Sequence, residues 1–115
     1  PDCHGIALVI YGEDNAGCGT YDKLHANTTD AALEKHLPVV KVENGRVKAR
    51  VGENDHPMEE DHYITWVYLE TTRGGSLRVL KPGDKPMVEF VLSDGERPLA
   101  VYEYCNRHGL WKAEL

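Results

Sequence analysis

Asn44-Gly45 stands between two runs rich in β-branched residues, Val39–Glu43 and Arg46–Val51. A two-residue link that accepts left-handed backbone without strain is the strongest short-range hairpin signal, typically a type I′ turn. That turn commits the middle of the chain to antiparallel pairing, and the residues after it repeat the theme. His62–Thr71 places Ile64, Trp66 and Tyr68 on one face and Tyr63, Thr65, Val67 and Leu69 on the other. Two largely apolar faces predict a central strand. Gly74-Gly75 breaks the pattern, Leu77–Leu80 resumes it, and Pro82-Gly83 turns the chain again. Met87–Leu92 and Leu99–Cys105 are two more strands, separated by the polar Ser93-Asp94-Gly95 turn. Six short strands at regular turn spacing predict an all-β domain, an antiparallel sandwich or barrel rather than βαβ units.

The first part of the chain differs in character. Gly5, Gly12, Gly17 and Gly19, with Asp14-Asn15, make a loop-rich segment around one short strand, Ile6–Tyr11. Asp30 is placed to cap a single helical turn through Ala31-Ala32-Leu33, and Pro38 then forces Leu37 into extended backbone. The change in composition sets a boundary after residue 27, giving a small N-terminal appendage (1–27) and a main domain (28–115).

With 115 residues, the chain buries roughly two-thirds of its unfolded surface and needs no disulfide staples. Its 13 Lys+Arg against 19 Asp+Glu leave a net charge of −6, which argues against a general nucleic-acid binder. No apolar run approaches the ~18 residues of a membrane span, and Ile6–Tyr11 lacks the length and basic flank of a signal peptide. Three cysteines, Cys3, Cys18 and Cys105, are an odd count that fits a reducing compartment. The expected location is the cytoplasm.

Four of the six histidines fall, with Cys105, into three short segments. These are Glu34-Lys35-His36-Leu37-Pro38, His56-Pro57-Met58-Glu59-Glu60-Asp61-His62 and Tyr104-Cys105-Asn106-Arg107-His108-Gly109. Imidazole suits iron, zinc and copper, and a thiolate adds a soft, strongly donating ligand. The Cys-x-x-His spacing lets two side chains of one tight turn reach a common ion. His56 and His62 lie on a loop that leads into a strand, so both can fold towards the same point. A single histidine or a chance Cys-x-x-His more often has a hydrogen-bonding or packing role. Five such groups at loop–strand junctions in so short a chain favour a metal site. A structural zinc takes four ligands in a closed tetrahedron. Four imidazoles and a thiolate instead allow a square pyramid with one open position, which favours redox-active iron acting on a small molecule.

The three segments resemble the signatures of superoxide reductases, the neelaredoxin and desulfoferrodoxin family, in order and in spacing. Leu80-Lys81-Pro82-Gly83-Asp84 is similar to a segment frequent in desulfoferrodoxins, and the resemblance runs from Thr28 to Leu115. It implies an immunoglobulin-like antiparallel β-sandwich, one mononuclear non-haem iron, and a homodimer or larger assembly. It also implies that His36, His56, His62 and His108 are equatorial ligands and Cys105 the axial one. An anionic thiolate opposite the open position pushes electron density through iron, as in haem–thiolate sites. By the same resemblance Lys35, otherwise read as a solvated amine, attracts superoxide and orders water for protonation. Glu34 would be the carboxylate that closes onto the sixth position of resting ferric iron. Because the whole chain is acidic, local charge must steer superoxide, and Lys35, Lys48 and Arg50 are the candidates. The implied electron donor is rubredoxin or a similar small carrier.

The sequence departs from the two-iron members of that family near its start. Those begin with a small domain that holds a rubredoxin-like iron through Cys-x-x-Cys and a later Cys-Cys pair. Here Cys3 and Cys18 stand in comparable positions, Gly17 stands where the partner of Cys18 would be, and the first family cysteine would fall before Pro1. A four-thiolate iron needs four sulfurs, so the expectation is a degenerate N-terminal segment without its iron. A replacement zinc set of Cys3, His4, Cys18 and His25 is the rival there. Two other readings of the main domain stand beside the enzyme: a one-electron carrier, and a binding module with a structural zinc.

Overall fold

The computed structural model describes Ile6, Leu8, residues 24–29, Ala31 and residues 33–115, with Glu34 given by its backbone alone. The expected Asp30 cap lies outside these residues, as does the expected strand Ile6–Tyr11 apart from Ile6 and Leu8. Among the described residues one short helix, α1 (Leu33–His36), precedes seven strands. They are β1 (Pro38–Glu43), β2 (Arg46–Val51), β3 (Ile64–Thr71), β4 (Gly74–Val79), β5 (Met87–Val91), β6 (Pro98–Cys105) and β7 (Gly109–Glu114). Among the described residues no helix is long and apolar enough to cross a membrane.

Asn44 and Gly45 both take positive φ, 51° and 73°, and pair Glu43 directly with Arg46 as the hairpin signal predicts. The alternation in β2 is strict: Val47, Ala49 and Val51 are buried while Arg46 and Lys48 are exposed. β2 also pairs with β5, giving a three-stranded sheet in the order β1-β2-β5. The second sheet has the order β4-β3-β6-β7, and every pairing in both is antiparallel. Three strands facing four make an immunoglobulin-like sandwich. Val47, Ala49, Val51, Ile64, Val67, Leu69, Phe90, Val101 and Cys105 fill the space between the sheets. Each fully buried Val, Leu, Ile or Phe side chain contributes about 1.5–3 kcal/mol.

Four details differ from the sequence reading. β3 is interior, as its two apolar faces predict, but a register shift between Ile64 and Trp66 turns Ile64 into the core instead of leaving it beside Trp66 and Tyr68. Gly74 and Gly75 do not break a strand; they begin β4, and the hairpin turn is Thr72-Arg73. A Cβ at Gly75 would collide with the Tyr68 ring, so glycine here makes room for a neighbour's side chain. The sequence pattern does not predict β7. Its alternation of Trp111 and Ala113 with Leu110, Lys112 and Glu114 is weak, and Trp111 alone of these is fully buried. The helical turn falls later than expected, closed by the Leu37 N–H donating to the Leu33 carbonyl at 2.9 Å.

Polar contacts reach part of two strand edges. Asn27 extends along β7, donating its N–H to Leu110 O and its Nδ2 to Lys112 O, and accepting from Lys112 N at 2.9 Å. Arg78 of β4 reaches across to the Glu89 carbonyl of β5 and lies 4.9 Å from the Phe90 ring centroid.

Antiparallel order places four connections at one end of the sandwich: the entry from α1 to β1, and the β2–β3, β4–β5 and β6–β7 links. The β3–β4 and β5–β6 links lie at the other.

Candidate metal centre

All four imidazoles and the thiol singled out in the sequence meet at the first of these ends. One ligand atom from each of His36, His56, His62, Cys105 and His108 lies within 4.8 Å of all the others. Four segments of structure bring them there. His36 ends α1, and His56 and His62 stand on the β2–β3 connection. Cys105 closes β6, opposite Ile64 of β3, and His108 sits in the turn before Gly109. His36, His56 and Cys105 are buried, and His62 and His108 are partly exposed, so the cluster is closed towards the core and open on one side.

The hydrogen bonds say which nitrogens face the centre. His56 Nδ1 donates to the Pro57 carbonyl at 2.7 Å, which leaves Nε2 as its lone-pair donor, 3.2 Å from His36 Nε2. His36 Nε2 also lies 3.0 Å from His108 Nδ1, itself 3.8 Å from Cys105 Sγ. His36 Nε2 has at most one proton to give, so hydrogen bonding cannot satisfy both close nitrogens. Two metal–nitrogen bonds of ~2.1 Å at a right angle would set their donor atoms about 3.0 Å apart. His62 Nε2 is buried with no hydrogen-bond partner among the described residues. The donor set fits a single metal ion. Five donors exceed the four of a structural zinc and include one soft thiolate, a combination suited to iron.

Electrostatics point the same way. Burial, chiefly, lowers the His56 pKa to about 4, with the three neighbouring imidazoles adding to the effect against the Pro57 hydrogen bond. His62 is also lowered, first by burial and then by His108 and Arg107. Both imidazoles are therefore neutral at neutral pH, the form that can bind a metal ion. Burial raises the Cys105 thiol, while the backbone N–H groups of Arg107 and His108 oppose it by bonding to sulfur. A cation at this point would supply the missing stabilisation of the thiolate.

The remaining predicted residues divide. Lys35 is exposed on α1, one residue before His36, and the Glu34 side chain lies outside the described residues. Arg50 Nε donates to the Gly52 carbonyl at 3.1 Å, beside the site. Lys48 is on the outer face of β2, between Lys41 and Glu89, and so does not join the cluster. Cys3, His4, Cys18 and Gly17 are outside the described residues; His25 is exposed.

Two supporting residues escaped the sequence reading. Trp111 stacks on His36 with centroids 4.8 Å apart, and its Nε1 donates to the His108 carbonyl at 3.1 Å, so one buried ring holds two of the imidazoles. Gly52 has φ 84°, and a Cβ there would lie 2.7 Å from the Lys35 carbonyl oxygen. Its N–H donates to Leu37 O at 3.0 Å, which docks α1 on the end of β2. Glycine after an alternating strand and a tryptophan beside a Cys-x-x-His were the available signals.

A seven-stranded sandwich with four imidazoles and one cysteine sulfur gathered at one end defines an all-β protein with a candidate mononuclear histidine–cysteine metal centre. The desulfoferrodoxin family profile matches residues 28–114. A desulfoferrodoxin of Syntrophotalea carbinolica is 44% identical, over 97% of this chain and 90% of its own. The crystal structure of the superoxide reductase from Treponema pallidum superposes with a TM-score of 0.79 at 40% identity, covering 90% of this chain and 91% of that one. A one-iron superoxide reductase from Giardia intestinalis does so with a TM-score of 0.59 at 33% identity, over 71% and 99%. The chain belongs to the desulfoferrodoxin family.

Proposed function

We propose that this protein is a superoxide reductase, with iron held by His36, His56, His62, His108 and Cys105. The observation that carries the reading is the convergence of these five donor atoms within 4.8 Å in a member of this family. Iron in this set supplies one electron, which with superoxide and two protons gives hydrogen peroxide and no oxygen. The residues of the chain do the rest. Cys105, buried and bonded by two peptide N–H groups, donates electron density as a thiolate. Trp111 and the Pro57 carbonyl fix the planes of His36 and His56. Lys35 attracts the anionic substrate against a net charge of −6 and holds water for the protons, helped by Arg50. Glu34, the preceding residue, is the carboxylate assigned to the open side when substrate is absent.

The further parts of the reading rest on sequence. Gly17 takes one of the four cysteine places of an N-terminal rubredoxin-like site, so the protein carries one iron per chain. Rubredoxin or a similar small one-electron carrier returns the electron, the assembly is a homodimer, and the odd cysteine count suits the cytoplasm. The test is to mix reduced, iron-loaded protein with superoxide and measure peroxide, oxygen and metal content. One peroxide per superoxide, no oxygen and one iron per chain is the expected result. Oxygen evolution in dismutase stoichiometry, or a colourless protein that retains only zinc, would remove the assignment.

A further inference from the structure

Asn106 lies between Cys105 and His108 in sequence and is exposed, yet it makes three hydrogen bonds to the segment that carries His62. Its peptide N–H donates to the Tyr63 carbonyl at 3.2 Å. Its Oδ1 accepts the Tyr63 N–H at 2.9 Å, and its Nδ2 donates to the Asp61 carbonyl at 3.1 Å. One side chain thus binds the residues on both sides of His62. The β3–β6 ladder ends at the pair Ile64–Cys105, next to a register shift. Beyond that point the side-chain amide takes the place of a peptide, offering one acceptor and one donor in a plane. Aspartate lacks the donor, glutamine is one methylene longer, and serine has a single oxygen.

We propose that Asn106 is a positioning residue that fixes His62 relative to Cys105 and His108, and so sets the shape of the ligand cage. This rests on the iron reading above. The exposed ion pair between Arg107 and Asp61, 3.2 Å long, spans the same two segments but is of the kind that contributes little. It therefore serves as an internal control. Because Asn106 is exposed, its removal leaves no cavity in the core and the sandwich should still fold.

The experiment compares wild type, Asn106→Ala, Asn106→Asp and Arg107→Ala as iron-loaded proteins. It follows iron release to a chelator, the sulfur-to-iron charge-transfer band, and the thermal midpoint of each metal-free form. Asn106→Ala should release iron ~10-fold faster or more, about 1.4 kcal/mol or above, and shift the band, with little change in the metal-free midpoint. Asn106→Asp, which keeps the acceptor and loses the donor, should fall between it and wild type. Arg107→Ala should stay within about twofold of wild type, as expected for an exposed pair. Wild-type release and an unshifted band in Asn106→Ala would overturn the inference, as would an equal effect of Arg107→Ala. A wild type that binds no iron would instead defeat the functional reading itself, and that is seen before any variant is compared.

Discussion

The two ends of the sandwich solve the same problem in opposite ways. At the β3–β4 and β5–β6 end, polar groups satisfy one another. Glu96 accepts from the Thr71 hydroxyl at 2.5 Å and from both the N–H and hydroxyl of Ser93, at 3.0 and 2.9 Å. The result is a carboxylate held below its usual pKa of 4.5. Towards the other end, buried polar atoms stay unmatched. His62 Nε2 has no partner among the described residues, and neither has either carboxyl oxygen of Glu103, two residues before Cys105. Burial alone pushes Glu103 up to about 9, so it is a neutral acid at neutral pH. Native folds rarely leave buried polar atoms unpaired. The contrast teaches that one end is complete as protein, whereas the other leaves an imidazole nitrogen unpaired beside four further donor atoms, as the proposed metal centre requires.

The strongest test of that contrast removes ligands. Cys105→Ser keeps the imidazoles but loses the thiolate, so charge-transfer absorption and superoxide reduction should both disappear, as optical spectra and turnover would show. Alanine at His36, His56, His62 or His108 should weaken iron retention in a chelator challenge, because ligands bind cooperatively with the ordering of their loops. Thr71→Val at the far end should leave iron binding untouched.

The two carboxylates should tilt stability in opposite directions with pH. Glu103 is raised in the folded state, so its contribution is fully present below about pH 4.5 and is lost as pH rises towards about 9. Denaturation of metal-free protein should therefore show stability falling over that window, by on the order of a few kcal/mol. Glu103→Gln should flatten the slope.

Charge near the open side gives a smaller effect. Lys35→Ala should load iron and keep its colour while its second-order rate with superoxide falls ~10-fold, as for a contribution on the order of 1.4 kcal/mol. The wild-type rate should drop as salt rises, and the variant's rate should depend less on salt. Arg97→Ala, at the far end, should do neither. Equal salt slopes for wild type and Lys35→Ala in stopped-flow measurements would return Lys35 to a solvated amine.

The smallest effect is expected from Glu96. Its depressed pKa contributes stability above about pH 4.5 that is lost as pH falls through the folded value. Glu96→Gln should flatten acid unfolding on that side only, with no change in metal content.

Sequence carried the candidate ligands because each lies in a short local motif, and carried most strands because turn chemistry is local. Asn44-Gly45 gave both hairpin and register; β7 was hidden because its alternation is short and is blurred by apolar Leu110 on the face of Lys112 and Glu114. The inward turn of Ile64 was also out of reach, since a bulge is set by pairing with β6 and leaves no mark on the strand itself. The same holds for Trp111 against His36, and for Gly52 under the Lys35 carbonyl. These depend on which distant segments meet, and spacing along one chain does not encode that.

X-ray absorption at the iron edge of the loaded protein tests the central claim most directly, because it counts sulfur and nitrogen neighbours. Four nitrogens and one sulfur per iron in the reduced protein, with one further oxygen neighbour from Glu34 in the oxidised form and the sulfur absent in Cys105→Ser, is the predicted result. Two or more sulfurs per iron, or a wild-type shell without sulfur, would contradict the assignment of one iron to these five residues.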